Sequence, residues 1–281
     1  MAEFLEYDWR TNFITKDLIT IPKSQKNPED KHISIQALRG LIYQSTDSEF
    51  KNNVQQDDTT LLKFLYARKF DIDEAYQLIQ NYYWYRKRNS QIFKDFSIDA
   101  PDIRKALENG LPGVLPTKDR KGRCVLILTG VNWDCSYSLL SVYRSLLFTL
   151  EHLINDVHNQ AIGFVVIVDW TEFSFRQSTN LKPSVLKLMI EGLQDCFPAK
   201  FKGVHFLGQP WYVEAALTFI KPFLKDKSKD RIFVHGNNLS TLHDHVHRDI
   251  LPAEFGGEQP SYNPETWLKK VLEETSNNNE S

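Results

Sequence analysis

The chain has 281 residues, of which 41% are hydrophobic and 25% are charged, the composition of an ordinary globular protein with one large domain or a small domain and a larger one. Its net charge of −2 argues against a dedicated nucleic-acid-binding protein, so any basic function must come from a local patch. A bilayer-spanning run of about 18 apolar residues is absent, and the acidic, polar start of the sequence does not resemble a signal peptide. The three cysteines, odd in number and far apart, form no zinc or disulfide pattern. We therefore expect a cytosolic protein with reduced thiols.

The first hundred residues have the pattern of a helical domain. Residues 1–33 contain two prolines and many charges, which predicts a flexible arm. Asp57 or Asp58 is placed to cap a helix with a leucine-rich and phenylalanine-rich face. A longer helix follows the turn KFDIDEA, and its many aromatic residues are typical of packing inside a small bundle. We expect an all-helical domain over residues 34–108.

The pattern changes at Gly110, where Pro112, Gly113 and Pro116 mark a boundary and a hairpin turn leads into a strand. From there, predicted strands alternate with predicted helices. Strands are expected at residues 124–130, 163–169, 203–207 and 231–234, and helices at residues 139–154, 183–194 and 209–224. This alternation predicts an α/β domain with a mostly parallel sheet and right-handed crossovers. We assign it to residues 109–260, with a carboxy-terminal helix and a disordered tail over residues 261–281.

The predicted helix at residues 209–224 has an unusually broad apolar surface. Trp211, Ala215, Phe219 and Phe223 recur four residues apart, and a second apolar row runs beside them. A helix on the surface of a soluble protein normally has a narrower apolar stripe. This helix is therefore either fully buried, or its second face is covered by something outside its own domain.

Basic residues flank this helix. Residues 200–231 contain seven basic and three acidic side chains, a local net charge of +4. Bulky apolar side chains beside lysines suit contact with an anionic membrane surface. A core helix followed by a solvated lysine loop explains the same residues. The pattern does not decide between the two.

Catalytic and metal-binding patterns are absent from the sequence: it has no G-x-S-x-G, phosphate-binding loop, G-x-G-x-x-G or H-E-x-x-H. Asp169 ends a predicted strand, where many α/β enzymes place an acid, but it has no identifiable catalytic partner. His243, His245 and His247 are spaced two apart, so on a helix they face different directions, and we expect a polar cluster at a helix end without a metal. We expect a protein that is not an enzyme and carries no cofactor.

Five long segments follow one another within residues 35–270: LLKFLYARKFDIDEA, GLPGVLPTKDRKGR, the segment from FSFRQSTN to HFLGQPWY, IKPFLKDKSKDRIFVHGNN and LPAEFGG. In this order they resemble the CRAL-TRIO family of lipid-binding and lipid-transfer proteins. NWDCS, VDWTEFSF, EGLQDCFPAKF and KPFLKDK are most similar to the clavesin branch, with the retinaldehyde-binding and α-tocopherol-transfer branches next.

The resemblance implies a helical amino-terminal domain and an α/β lipid-binding domain whose apolar cavity is closed by a mobile gate helix. It assigns the gate to Trp211, Tyr212, Ala215, Phe219, Ile220 and Phe223. The cavity would hold a bound lipid. Its expected lining is Trp133, Tyr143, Leu146, Leu150, Phe164, Val166, Val168, Met189 and Leu193, although composition alone explains these residues equally well as core.

The resemblance also implies a basic cleft for phosphoinositide headgroups beside the gate. The cleft would be formed by Arg68, Lys200, Lys202, Lys227 and Arg231. Similarity to the clavesins implies phosphatidylinositol 3,5-bisphosphate as the lipid, peripheral association with endosomal and trans-Golgi membranes, and clathrin or adaptor proteins as partners. We expect a monomer that binds membranes and a hydrophobic lipid, and no nucleic acid.

Two other functions stay open. One is an intracellular carrier of a small hydrophobic ligand such as α-tocopherol or a retinoid. Against it, Leu146, Leu150 and Val168 stand where the retinaldehyde and tocopherol binders of the family place polar side chains, and the polar anchor is missing. The other is a trafficking adaptor that acts through protein partners.

Overall fold

The computed structural model describes residues 28–279; most of the predicted arm, residues 1–27, lies outside the described residues. Among the described residues, six helices precede the sheet. They are α1 (Pro28–Gln44), α2 (Ser48–Asn53), α3 (Asp58–Ala67), α4 (Ile72–Arg88), α5 (Ser90–Phe93) and α6 (Pro101–Glu108). Asp47, Asp57 and Asp71 cap α2, α3 and α4 by accepting a hydrogen bond from the backbone N–H three residues later, which satisfies a free donor at each helix start.

Helix α1 begins within the predicted flexible arm. Pro28 suits the first turn of a helix, and Glu29 and Asp30 add negative charge at the positive end of the helix dipole. The Ser34 hydroxyl donates to the Asp30 carbonyl at 2.8 Å. Ile35, Leu38 and Ile42 are buried against α3 and α4, so packing extends this helix beyond what its sequence pattern indicates.

A five-stranded sheet follows, in the spatial order β1-β2-β3-β4-β5. The strands are β1 (Gly113–Val114), β2 (Cys124–Thr129), β3 (Phe164–Asp169), β4 (Phe201–Leu207) and β5 (Ile232–Gly236). β1 pairs with β2 in the antiparallel sense, and the remaining pairs are parallel. The predicted α/β class and mostly parallel sheet are confirmed.

Eight further helices connect and cover the strands. They are α7 (Leu139–Leu153), α8 (Val157–Ile162), α9 (Phe175–Ser178), α10 (Pro183–Glu191), α11 (Trp211–Ile220), α12 (Asp226–Lys229), α13 (Leu239–His243) and α14 (Glu265–Asn279). A π-helical turn, Gly192–Cys196, extends α10, and a 3-10 turn, Lys221–Phe223, extends α11. Of the helices that the structure describes, none combines the length and apolar character needed to cross a membrane.

The two faces of the sheet belong to different cores, because side chains alternate along a strand. Leu126 and Val166 face α7 and α14. Val125, Val165 and Ile167 face the opposite layer, which contains α13 and the turn that follows it. This alternation determines which strand residues are available to a cavity on the first face.

The ends of α11 and α14 also differ from the sequence pattern. The helix predicted for residues 209–224 ends at Ile220, since Pro222 has no N–H to continue the α-helical hydrogen bonds. The tail predicted to be disordered from residue 275 is helical to Asn279. There the hydroxyls of Thr275 and Ser276 donate to backbone carbonyls four residues earlier.

Candidate functional site

A cavity of about 670 Å³ lies between the first face of the sheet and helices α10 and α11, a size typical of small-molecule sites. Val166 and Val168 of β3 form part of its floor, and Met189 of α10 forms part of a wall. The cavity extends along the parallel strands from one edge of the sheet to the other. It begins near Lys200 at the amino end of β4 and reaches Trp133, which follows the carboxyl end of β2.

Six of the nine pocket residues expected from the resemblance line this cavity. They are Trp133, Leu146, Val166, Val168, Met189 and Leu193. The other three, Tyr143, Leu150 and Phe164, are completely buried in the adjoining core and are not part of the lining. Helix α7 presents the stripe Leu139, Val142 and Leu146 to the cavity, whereas Leu150 continues that stripe beyond it. Tyr143 lies beside the stripe, and its hydroxyl is hydrogen-bonded to that of Tyr85.

Helix α11 has two apolar faces, as its sequence pattern indicates. Its inner face contributes Leu217 and Ile220 to the cavity. Its outer face leaves Trp211 70% and Phe219 51% exposed. Large apolar side chains on a protein surface mark a contact surface when they cluster.

The remaining residues assigned to the gate divide between these two faces. Ala215 and Phe223 are exposed on the outer side. The Tyr212 hydroxyl donates to the carbonyl of Phe173 and so attaches the start of α11 to the loop after β3. Phe175 of α9 stacks on Trp211, with the two ring centroids 6.0 Å apart. The outer face of α11 is therefore part of a larger exposed aromatic surface.

All five cations assigned to the basic cleft lie at one end of the same cavity, together with two that the sequence reasoning did not include. We call this set the cationic mouth: Arg68, Lys69, Lys200, Lys202, Lys225, Lys227 and Arg231. Lys69 directly follows Arg68 at the end of α3, and its backbone φ is +55°. Its place next to Arg68 in the ARKFD segment was the one available signal.

The cationic mouth has a large excess of positive charge. Glu74 and Asp195 are the carboxylates among the described lining residues. Asp195 is paired with Lys225. The other six cations form no ion pair with any carboxylate in the described part of the chain.

Burial makes this charge costly for the protein. Burial, followed by the charges of Lys202 and Lys69, lowers the pKa of Lys200 to about 8. Burial also lowers the pKa of Lys202, with a further contribution from Arg231. Cations that are partly desolvated and close together favour a bound anion, which would neutralise them.

Backbone hydrogen bonds position two of the cations. The Lys200 ammonium donates to the Ala161 carbonyl at 2.9 Å, and the Arg231 guanidinium donates to the Phe201 carbonyl at 2.7 Å. Both lie at the amino ends of parallel strands, where β4 and β5 start. A parallel sheet aligns these ends, and this brings together residues that are far apart in sequence.

The polar residues considered for catalysis or metal binding have structural partners. The Asp169 carboxylate accepts from the backbone N–H of Thr171 at 2.9 Å. A ring nitrogen of His243 lies 2.9 Å from the Phe255 carbonyl, and His247 caps a 3-10 turn. Within residues 28–279, no group of three His, Cys, Asp or Glu side chains is arranged to hold a metal, and all three cysteines are free.

Comparison with protein families identifies the cavity-bearing part of the chain. Residues 108–257 match the CRAL/TRIO domain, and residues 26–81 match the CRAL/TRIO N-terminal domain. The chain belongs to the CRAL/TRIO family. CRAL/TRIO proteins are lipid-binding and lipid-transfer proteins. Most of the cavity lining lies in the matched CRAL/TRIO domain, and the N-terminal domain contributes Arg68 and Lys69.

Among CRAL/TRIO proteins, the chain is similar to the clavesins. It is 48% identical to clavesin-1 of Xenopus laevis over 248 residues, which cover 88% of this chain and 74% of that one. It is 46% identical to human clavesin-2 over 249 residues, covering 88% and 75% of the two chains. Both comparisons confirm the resemblance found in the sequence.

A solved structure supports the fold alone. The crystal structure of Sfh5 matches with a TM-score of 0.56 and 13% identity, covering 89% of this chain and 99% of that one. The described architecture therefore persists where the sequences have diverged widely.

Proposed function

We propose that this protein binds a lipid in the apolar cavity and docks on phosphoinositide-bearing membranes through the cationic mouth. The observation that carries the proposal is that cavity and mouth are continuous. Apolar residues such as Val166 and Val168 line one part. The other part is lined by cations such as Lys202 and Lys227, which form no ion pair with a described carboxylate. One amphipathic molecule with a polyanionic head and apolar chains satisfies both parts.

The mouth suits a headgroup with more than one phosphate. Lysine and arginine bind phosphate through charge-assisted hydrogen bonds, and clusters of them are typical of phosphoinositide sites. Several of the cations sit on separate elements: Lys69 follows α3, Lys202 is in β4 and Lys227 is in α12. Cations that approach from different sides can contact phosphates at different ring positions. Phosphatidylinositol 3,5-bisphosphate is the headgroup that we propose.

Helix α11 would act as the gate. Its inner side covers the cavity, and its exposed aromatic side suits insertion into the interfacial layer of a membrane. Since a membrane contacts this side only when the protein is docked, it can bias the gate between a closed and an open arrangement. We propose endosomal and trans-Golgi membranes as the docking sites of a cytosolic protein, with clathrin or adaptor proteins as partners.

The test is binding to phosphatidylcholine vesicles that carry each phosphoinositide in turn. The Lys202→Ala/Lys227→Ala variant removes two cations for which the structure shows no ion pair. We expect it to weaken selective binding at least tenfold. Arg231→Ala is a poorer choice, because it also leaves the Phe201 carbonyl at the start of β4 without its partner.

The matched control is Lys269→Ala/Lys270→Ala. These two lysines are exposed on α14, and each forms an ion pair with a glutamate four residues away, so the variant removes the same charge away from the cavity. Equal loss of binding in both variants would reduce the interaction to general electrostatics. Binding that the mouth variant leaves unchanged would contradict the proposal.

A specific feature favours a second ligand class, a small hydrophobic molecule such as α-tocopherol or a retinoid. Trp170 lines the cavity, and its buried indole N–H has no hydrogen-bond partner among the described residues. A hydroxyl or carbonyl oxygen on a ligand would satisfy that donor. Mass spectrometry of the purified protein tests this: a stoichiometric isoprenoid ligand supports the carrier function, and phospholipid alone contradicts it.

A further inference from the structure

The cationic mouth has few anionic partners: Glu74 and Asp195 are the carboxylates among its described lining residues, and Asp195 is paired with Lys225. Its other six cations form no ion pair with a described carboxylate, and burial lowers the pKa of three of them, Arg68, Lys200 and Lys202. Like charges held together in this way raise the free energy of the unliganded protein. Any anionic segment of the chain within reach would therefore be attracted to the mouth.

The start of α1 lies next to the mouth. The ammonium groups of Lys31 and Lys200 lie 5.7 Å and 5.9 Å from the centroid of the same ring, that of Tyr66. Lys31 is in the first turn of α1, and Lys200 belongs to the mouth. The chain that precedes Pro28 therefore joins the described residues within a few side-chain lengths of the cations.

That preceding chain begins with an acidic and aromatic sequence. Residues 1–9, MAEFLEYDW, contain Glu3, Glu6 and Asp8 and no basic side chain. Between the acids lie Phe4, Leu5, Tyr7 and Trp9. The carboxylates match the charge of the mouth, and the aromatic and aliphatic side chains match the apolar lining just inside it.

We propose that residues 2–9 bind the cationic mouth of their own chain and compete there with the phosphoinositide headgroup. The inference concerns regulation and rests on the proposed docking function. The 18 residues between Trp9 and Pro28 would, even as a random coil, give a root-mean-square span of about 25 Å. This span is long enough for residues 2–9 to reach the mouth from the start of α1.

The competition depends on local concentration and charge. A tethered segment is present at an effective concentration on the order of millimolar, so weak carboxylate contacts suffice to occupy the mouth in the absence of a membrane. Each phosphate group of a phosphoinositide carries more negative charge than a carboxylate, since a phosphomonoester approaches −2 at neutral pH. Membrane phosphoinositide then displaces the segment, whereas singly charged lipids compete poorly. The segment would therefore increase selectivity for polyphosphorylated headgroups.

Carbodiimide cross-linking tests the contact without any membrane. It joins a carboxylate directly to a lysine amine, so it reports only groups in contact. In the full chain we expect cross-links from residues 1–10 to Lys69, Lys202 or Lys227, and their loss when a soluble inositol bisphosphate is added. Cross-links confined to lysines outside the mouth, such as Lys63, Lys94 or Lys269, would overturn the proposal. A complete absence of cross-links from residues 1–10 would also overturn the proposal.

Vesicle binding tests the competition. The Glu3→Gln/Glu6→Gln/Asp8→Asn variant should bind phosphoinositide vesicles roughly three- to tenfold more tightly than the unmodified chain. The matched control, Glu258→Gln/Glu265→Gln/Glu273→Gln, removes three exposed carboxylates elsewhere and changes the net charge equally. It should leave the affinity unchanged. When Lys202→Ala/Lys227→Ala is also present, the three amino-terminal substitutions should increase the vesicle affinity little.

The outcomes separate the two proposals. If no form of the protein binds phosphoinositide vesicles, the docking function fails, and the cross-links alone then decide whether the segment occupies the mouth. If the unmodified chain binds through Lys202 and Lys227, and the amino-terminal variant binds no more tightly than its control, docking stands and the competition is excluded. Equal tightening by both triple variants also excludes it, because the effect then follows net charge.

Discussion

The hydroxyl groups of Tyr85 and Tyr143 lie 3.0 Å apart, in a buried hydrogen bond between α4 of the helical domain and α7 of the α/β domain. Tyr85 in turn donates to the Leu188 carbonyl at 3.0 Å. Leu188 is in α10, whose neighbouring Met189 lines the cavity. The pair therefore attaches the wall of the cavity to both domains.

Gly192 is required where this wall meets the tyrosine pair. A Cβ at position 192 would lie 1.9 Å from the Tyr143 hydroxyl oxygen and 2.7 Å from that of Tyr85. We expect Gly192→Ala to lower the free energy of unfolding by about 1–3 kcal/mol, the usual range for overpacking. Chemical denaturation measures it. Adding Tyr143→Phe should recover part of the loss.

The matched control for Gly192→Ala is Gly40→Ala in α1. A Cβ there meets nothing within 4 Å. Since alanine favours a helix over glycine by about 1 kcal/mol, this variant should be neutral or stabilising. Similar destabilisation at both positions would mean that the tyrosine pair does not determine the effect.

The alternation of β3 separates cavity residues from core residues and can be tested with one substitution on each face. Val168 borders the cavity, so Val168→Phe places its added atoms in open space. We expect a several-fold loss in uptake of a fluorescent fatty acid, with little change in stability. Val165 is fully buried on the other face, so Val165→Phe should cost about 1–3 kcal/mol of stability and leave uptake per folded molecule unchanged. The reverse pattern would show that the ligand does not occupy this cavity.

Membrane docking through Lys200 should depend on pH. Its pKa, about 8 in the folded protein, lies below the usual value of about 10.4 for lysine. Above pH 8 it loses its charge, while phosphomonoesters, whose second pKa is about 6, are already ionised. Vesicle affinity should therefore fall between pH 7 and pH 9.5. Lys200→Arg keeps its charge throughout this window, so its profile should be flatter. Parallel profiles for the two proteins would contradict a role for Lys200.

The same pKa shift affects stability in the opposite direction. Between pH 8 and about 10.5 the unfolded chain binds more protons at Lys200 than the folded chain does, so the free energy of unfolding contributed by this group increases with pH. Below pH 8 both states are protonated, and the full penalty of the buried charge is present. Denaturation of the unliganded protein across this range measures the contribution, and Lys200→Arg should lack the increase.

The exposed aromatic surface of α11 should contribute to membrane affinity and little to folding. Trp211→Ser/Phe219→Ser changes two side chains that are more than half exposed. We expect weaker vesicle binding and an unchanged unfolding midpoint. Ile33→Ser/Tyr43→Ser is the control, because these side chains are similarly exposed on α1. Comparable losses of binding in both variants would show that α11 has no special role.

Local sequence was sufficient for the longer helices and the central strands, in their order, but it did not predict the short helices α2, α5, α8, α9 and α12. A helix cap could be narrowed to Asp57 or Asp58, because a capping hydrogen bond spans only three residues, and the structure selects Asp57. The β-branched run at residues 163–169 could be identified as a buried parallel strand, because both of its faces require apolar side chains. The two apolar sides of α11 followed from helical spacing alone. The family resemblance supplied the cavity and the assignment of Arg68 to the basic cluster.

Tertiary structure decided which of these residues share a site. Leu146 and Leu150 are equivalent in a helical pattern, yet only Leu146 lines the cavity, because the crossing of α7 over the sheet sets where the open space ends. Lys69 and Lys225 join the mouth only when the end of α3 and the segment after α11 meet the amino edge of the sheet. The excess of positive charge there depends on where every carboxylate lies in space. A sequence specifies local periodicity directly, but the pairing of distant residues arises only when the strands align and the helices pack.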